Sequence, residues 1–282
     1  MEKELDKLLP RRDDGPEGEL YEAMRYAVLA GGKRVRPFLV MASSELFDVP
    51  SEQAVRVAAA VECIHSYSLI HDDLPCMDDD DLRRGRPTVH VKFDEATAVL
   101  AGDALLTYAF ELVSDALVIP NAQVRIEIVG GLAKAAGARG MVGGQILDIA
   151  AEKTTFSESE TVRLQRLKTG EMIAISAEAG AILGRGSRVQ RHALQMYAHD
   201  LGLAFQIADD LLDVTGTREQ MGKAVGKDRD AGKATFVALL GIERATARAK
   251  MLADQAAAHL EIFGKRADSL RDLCNFVVER NN

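Results

Sequence analysis

Cysteine is scarce in this chain: only Cys63, Cys76 and Cys274 are present. Their odd number and the lack of CxxC spacing argue against a disulfide framework and a cysteine zinc site, and suggest free thiols in a reducing compartment. Unbroken apolar runs are missing too. None reaches the roughly 18 residues that a membrane-spanning helix needs, and the opening MEKELDKLLPRRDDGPEGEL is charged where a signal peptide is apolar. A cytoplasmic protein is expected. Nor is there a surplus of positive charge. With 35 Lys and Arg against 43 Asp and Glu, the net charge of −8 argues against a general nucleic-acid binder. An anionic substrate would need metal ions or a local basic patch to bind.

Proline numbers only 7 in 282 residues, and alternating strand patterns are hard to find. Helix formers with helical periodicity fill the chain, so an all-α single large helical bundle is expected, with one domain over 1–282. The pattern places helices near 17–30, 35–47, 51–73, 94–117, 121–137, 140–150, 158–183, 187–214, 234–263 and 266–279. Ser51, Asn121, Ser157 and Ser187 stand at N-cap positions. Irregular stretches are expected near 74–92, 151–157 and 215–233. No low-complexity linker and no repeat of 20–50 residues stands out.

Against this background, DDLPCMDDDD at 72–81 puts six carboxylates around Pro75. The helix leading into it, AVRVAAAVECIHSYSLI, is apolar nearly all round and should be buried. His65, Ser68 and Asp72 form one polar stripe at i, i+3 and i+7, expected to face inward. Pro75 should end the helix and let Asp78 fold back toward Asp72. A solvated acidic loop is the ordinary alternative for such a charge run taken alone.

A second acidic group shifts the weighing. FQIADDLLD at 205–213 sets Asp209 and Asp213 at i and i+4, with Gln206 a turn earlier. Leu201, Leu203, Phe205, Ile207, Leu211 and Leu212 beside them are candidate core residues. Repelling carboxylates on two apolar helices suggest facing walls of one site held together by cations. Hard oxygen ligands without a His or Cys set suit Mg²⁺, which keeps several waters and shares phosphate oxygens. Metal-bound diphosphate is the natural occupant.

Cations stand nearby in sequence. GGKRVRP at 31–37 carries Lys33 and Arg36, and RRGR at 83–86 follows the aspartates. Arginine forks and a lysine point charge can hold a second anion without metal, although any one of them alone would be an ordinary solvated cation. Lys168 and Thr169 lie within a helical pattern. GKAVGKDRDAGK at 222–233 fails as a P-loop, because five residues separate Gly226 from Gly232 and Ala234 stands where Ser or Thr should be. It remains either a lysine lid, with Lys223, Lys227 and Lys233, or a flexible loop. His71, His90, His192, His199 and His259 show no HExxH or triad context.

GGKRVRPFLV, ECIHSYSLIHDDLPCMDDDDLRRGRPTVH, KTGEMIAISAEAGA and GLAFQIADDLLDVTG…GKDRDAGKATF together resemble the ordered signature blocks of the polyprenyl synthetases, the trans-isoprenyl diphosphate synthases, over about residues 17–245. The resemblance implies an isoprenoid synthase fold around a central apolar cavity, a homodimer, and Mg²⁺, three ions per site. It implies that Asp72, Asp78 and Asp209 ligate the metal, with Asp73 and Asp213 in support. Arg83, Lys168 and Lys227 would contact the allylic diphosphate, with Thr169 and Gln206 lining its site. Lys33, Arg36, His65 and Arg84 would hold isopentenyl diphosphate.

The form DDLPCMD resembles bacterial farnesyl synthases and bacterial and plant geranylgeranyl synthases. By the same resemblance, Tyr67 and Ser68, just before the first motif, form the floor that limits product length. Tyr67 lies about 7.5 Å down an ideal helix from Asp72 but is rotated roughly 140° from it, so its place in the cavity rests on the resemblance. Farnesyl diphosphate is the expected product, with geranylgeranyl diphosphate as runner-up. A terpene cyclase would lack the isopentenyl site, and a non-catalytic partner subunit would be expected to have lost aspartates.

Overall fold

The computed structural model describes residues 1–11, 15–154, 156–215 and 235–279. Lys223, Lys227 and Lys233, and the whole lysine-rich stretch, lie outside the described residues. The described chain is all-α apart from one two-stranded ribbon. It forms two compact units, residues 1–41 with 50–129 and residues 42–49 with 130–282; the boundaries at 41/42 and 129/130 fall inside helices, and that at 49/50 falls in the short connection between two helices.

The first unit contains α1 (Glu2–Leu8), α2 (Gly18–Val28), the start of α3 (Val35–Glu45), α4 (Ser51–Asp72), β1 (Leu82–Arg83), β2 (Arg86–Pro87), α5 (Val89–Lys92), α6 (Glu95–Ser114) and the start of α7 (Ala122–Ala136). α4 is its centre, and residues 57–64 are buried without interruption. Small side chains at Ala58, Ala59 and Ala60 leave room for a neighbouring backbone, and α6 packs closely along α4. The only half-buried positions on α4 from residue 65 onward are 65, 68, 69, 71 and 72, which makes the predicted polar stripe the open face of an otherwise enclosed helix.

α6 holds no unbroken apolar run of 18 residues, but an 18-residue window in it has a mean hydropathy of 1.4, enough by length and composition alone to cross a membrane. Asp103 and Glu111 interrupt its apolar sequence, and Ala98, Ala101, Gly102, Leu105 and Ala109 are buried as it packs on α4 and α2.

The second unit holds α8 (Met141–Ala151), α9 (Glu158–Gln165), α10 (Glu171–Leu183), α11 (Arg188–Thr215), α12 (Phe236–Leu240), α13 (Ile242–His259) and α14 (Asp268–Glu279). α13 buries Ala245, Ala249, Leu252, Ala253 and Ala256, an i, i+4, i+7, i+8, i+11 stripe that packs on α11. The helix expected over 234–263 is broken at Gly241, whose φ of 78° no helix contains, and it ends at His259. The helix expected over 158–183 is continuous but carries a π turn at Arg166–Gly170.

Of the four expected caps, Ser157 forms a full capping box with Glu160, Asn121 accepts from the N–H groups of Gln123 and Val124, and Ser187 accepts from Gln190. Ser51 does not cap. Pro50 takes that position, and Ser51 is the first helical residue. Two short elements were not expected in the loop 74–92: the ribbon and α5. α1 was not expected either. On α11, Leu201 and Ile207 are buried, whereas Leu203, Phe205, Leu211 and Leu212 are only half-buried.

Candidate active site

In the first unit α4 ends at Asp72, and Pro75 forbids its continuation. The chain doubles back so that the Asp78 N–H donates to the Asp72 carbonyl at 2.9 Å and the Asp80 N–H to the Asp73 carbonyl at 3.3 Å. Asp79 takes a positive φ of 50° to close this turn. The expected return of Asp78 to Asp72 is therefore present in the backbone. Asp73, only 3% exposed, accepts from Arg83 Nε on both carboxylate oxygens at 2.8 Å and from Nη2. That charge-assisted fork neutralises the more buried aspartate and leaves Asp72 and Asp78 half-buried beside it.

RRGR is not a uniform run of cations. Arg84 and Gly85 both have positive φ, 54° and 72°, which is the type I′ pattern that closes a two-residue hairpin between β1 and β2. Arg83 consequently turns to Asp73, while Arg84 reaches the carbonyl of Gly31. Glycine suits position 32, because its φ of 129° is one that L side chains rarely adopt, and the Arg84 guanidinium lies against it. Tyr26 pins the hairpin by donating to Pro87 O at 2.7 Å, with the Arg86 guanidinium 4.4 Å above its ring.

Within GGKRVRP, Arg34 and Arg36 part company in the same way. Arg34 turns inward to Glu62, which is 2% exposed, and to Glu2 Oε1 at 2.6 Å. Arg36 Nη1 approaches His65 Nε2 to 3.5 Å. Burial first, then the charges of Arg36, Arg84, Arg83 and Arg34, hold the His65 imidazole well below its ordinary pKa, so it is neutral in the folded protein. The Ser68 hydroxyl donates to the His65 carbonyl at 2.9 Å.

The unfolded chain binds a proton at His65 below about pH 6.5 and the folded chain does not. Stability should therefore fall as pH drops from 6.5 toward the depressed folded value, by at most about 1.4 kcal/mol per pH unit from this group. Denaturant melts of the wild type and His65→Gln between pH 5 and 7.5 test this. The gap between their stabilities should narrow with acid, and parallel curves would refute it.

Tyr67 lies edge-on to His71, ring centroids 5.8 Å apart, and His71 Nε2 donates to Val99 O of α6 at 3.0 Å. Burial, helped by the Asp72 carboxylate, pushes the Tyr67 phenol up to about 12.

In the second unit, Asp209 is half-buried on α11, and Asp213 is buried. The carboxylate that Gln206 meets is Asp210, at 3.1 Å, and Asp210 also accepts from the Phe236 N–H at 2.7 Å. Asp210, 3% exposed, thus fastens the start of α12 to α11. In the sequence Asp210 is simply the second residue of a DD pair, and the only signal that sets it apart is its helical phase, a turn beyond Gln206 on the buried side. Thr169 Oγ1 donates to Gln206 Oε1 at 3.5 Å, which brings two expected allylic-site residues together. Lys168 pairs with Asp148 of α8, a residue that periodicity alone did not distinguish from any other polar position.

Among the described residues, no three His, Cys, Asp or Glu side chains are already gathered as a metal site. The donor chemistry nevertheless fits Mg²⁺: every candidate ligand is a carboxylate, and this ion needs only one or two protein carboxylates when phosphate oxygens and water complete its shell.

The fold defines a class, the all-α isoprenoid synthases. The polyprenyl synthetase family model matches residues 17–272, and the chain belongs to that family of prenyltransferases. It is 47% identical to the farnesyl diphosphate synthase of Escherichia coli (strain K12) over 265 residues, covering 92% of this chain and 89% of that protein. The apo crystal structure of an FPP/GFPP synthase from Zymomonas mobilis matches with a TM-score of 0.89 at 50% identity, covering 98% of this chain and 94% of that one. A geranyltransferase from Helicobacter pylori, complexed with magnesium and isoprenyl diphosphate, matches with a TM-score of 0.83 at 36% identity, covering 98% and 93%.

Proposed function

We propose that this chain condenses isopentenyl diphosphate with dimethylallyl or geranyl diphosphate to give farnesyl diphosphate and pyrophosphate. The observation that carries the reading lies within the first unit. One helix, α4, ends in the Asp72–Asp78 turn and also bears His65, beside the separate cation set of Arg36 and Arg84. Two distinct sets around one helix, carboxylates that would hold metal ions and cations that bind an anion directly, suit two diphosphate substrates better than one, which favours a synthase over a cyclase.

Asp72, Asp78 and Asp209 would hold the magnesium ions, which supply positive charge to a departing pyrophosphate. Arg83 and Lys168 contribute further charge where it develops on breaking the allylic C–O bond, with Thr169 and Gln206 beside them. Lys33, Arg36 and Arg84 grip the second diphosphate, and the neutral His65 adds a hydrogen-bonding group without adding charge. The isopentenyl double bond attacks the allylic carbon as that bond breaks, and the proton then lost passes to the released pyrophosphate. Apolar helix faces exclude water from the cation. In this reading Lys227 contacts the same allylic diphosphate, Asp213 gives support, the enzyme works as a homodimer, and it is cytoplasmic.

The test is a product assay with Mg²⁺, labelled isopentenyl diphosphate and each allylic primer. Farnesyl diphosphate from the wild type and longer chains from Tyr67→Ala are expected, with Ser68 the next floor position to vary. A geranylgeranyl product from the wild type would keep the chemistry and remove the assignment of Tyr67. No condensation with any primer would remove the synthase reading.

A further inference from the structure

Lys168 is held at both ends by one face of α8. Gly144 and Asp148 are i and i+4 on that helix, so they share a side. At Gly144 the helix comes so near the π turn that a Cβ would lie 2.2 Å from the Lys168 nitrogen and 2.5 Å from its Cα. Only glycine admits that approach. One turn along, Asp148 Oδ2 accepts from Lys168 Nζ at 2.5 Å, with the two side chains 12% and 24% exposed.

The opposite side of the turn is fixed as well. A Cβ at Gly202 of α11 would be in ordinary contact with the Gly170 Cα at 3.5 Å, and Gly170 is buried. The wide turn Arg166–Gly170 thus packs on α8 at Lys168 and on α11 at Thr169 and Gly170, and π turns often serve function.

We infer that Asp148, seated by Gly144, is a positioning residue that aims the Lys168 ammonium at the allylic diphosphate. The inference rests on the role given to Lys168 above. Lysine has a long stem with many rotamers and three N–H donors. One donor directed to Asp148 orients the other two and restricts the stem before substrate arrives, which lowers the ordering cost of binding. Asp148 touches no substrate itself.

The experiment compares wild type, Asp148→Asn, Asp148→Glu and Gly144→Ala. It measures kcat, separate KM values for geranyl and isopentenyl diphosphate, and the Kd of inorganic pyrophosphate with Mg²⁺ by calorimetry, with thermal melts as a fold check. Asp148→Asn should raise the geranyl diphosphate KM and the pyrophosphate Kd about tenfold, while the isopentenyl KM stays within about twofold. Asp148→Glu should recover part of the loss, and Gly144→Ala should move in the direction of Asp148→Asn.

Equal change in both KM values, no change in pyrophosphate affinity, or a loss tracking only the melting temperature would overturn the positioning role. If the wild type binds pyrophosphate but condenses nothing, the synthase reading falls and the affinity comparison still decides the role of Asp148. If the wild type neither binds pyrophosphate nor condenses its substrates, both fall.

Discussion

Asp72→Ala is expected to lower turnover by about a thousandfold or more, with helical circular dichroism unchanged, and Asp209→Ala should do the same. Asp72 terminates α4, and its backbone carbonyl already accepts from the Asp78 N–H, so the backbone itself holds the turn. Its neighbour Asp73 is occupied by Arg83 and cannot readily stand in. Removing Asp72 therefore takes away charge that would face a cation rather than a piece of the fold. Chelation of Mg²⁺ in the wild type should reach a comparable floor. Near-normal turnover in either variant would withdraw both aspartates from the metal site.

Glu62→Gln should cost about 3–5 kcal/mol of stability, because it strands Arg34 beneath α4. The side chains are 3% and 10% exposed, and Arg34 also donates to the Val28 carbonyl. Burial pushes the Glu62 carboxyl up against the pull of Arg34. Arg34 is itself held above its ordinary value by Glu2 and Glu62 despite burial. The direct contact makes an ionised pair the right description. Glu2, 2.6 Å from Arg34 Nε, remains after the substitution and should keep the loss toward the lower end. Urea unfolding followed by helical circular dichroism measures it. A loss below about 1 kcal/mol would show that the pair is not a buried anchor, and the double change Arg34→Met with Glu62→Leu should restore most of the stability.

Arg34 and Arg36 show where sequence reading stops. Two residues apart in GGKRVRP, they look equivalent, yet the positive φ of 49° at Arg34 and the buried Glu62 send it to the fold, while Arg36 goes to His65. Asp209 and Asp210 divide similarly by helical phase, one half-buried and the other locked to Gln206 and Phe236. The break at Gly241 was hidden because glycine is tolerated within helical patterns and the residues on both sides keep the period.

The sequence by itself determined the all-α class, the burial of the helix before the first acidic motif, its end at Pro75 and the return of Asp78. These follow from side-chain periodicity and from proline, both local properties of the chain. Only the tertiary structure decided which partner each charge meets: Arg34 with Glu62, Asp73 with Arg83, Asp148 with Lys168, and Asp210 with the Phe236 N–H. A charge declares its sign in the sequence, but its partner is fixed by which helix is packed beside it, and each of these partners lies between 10 and 28 positions away.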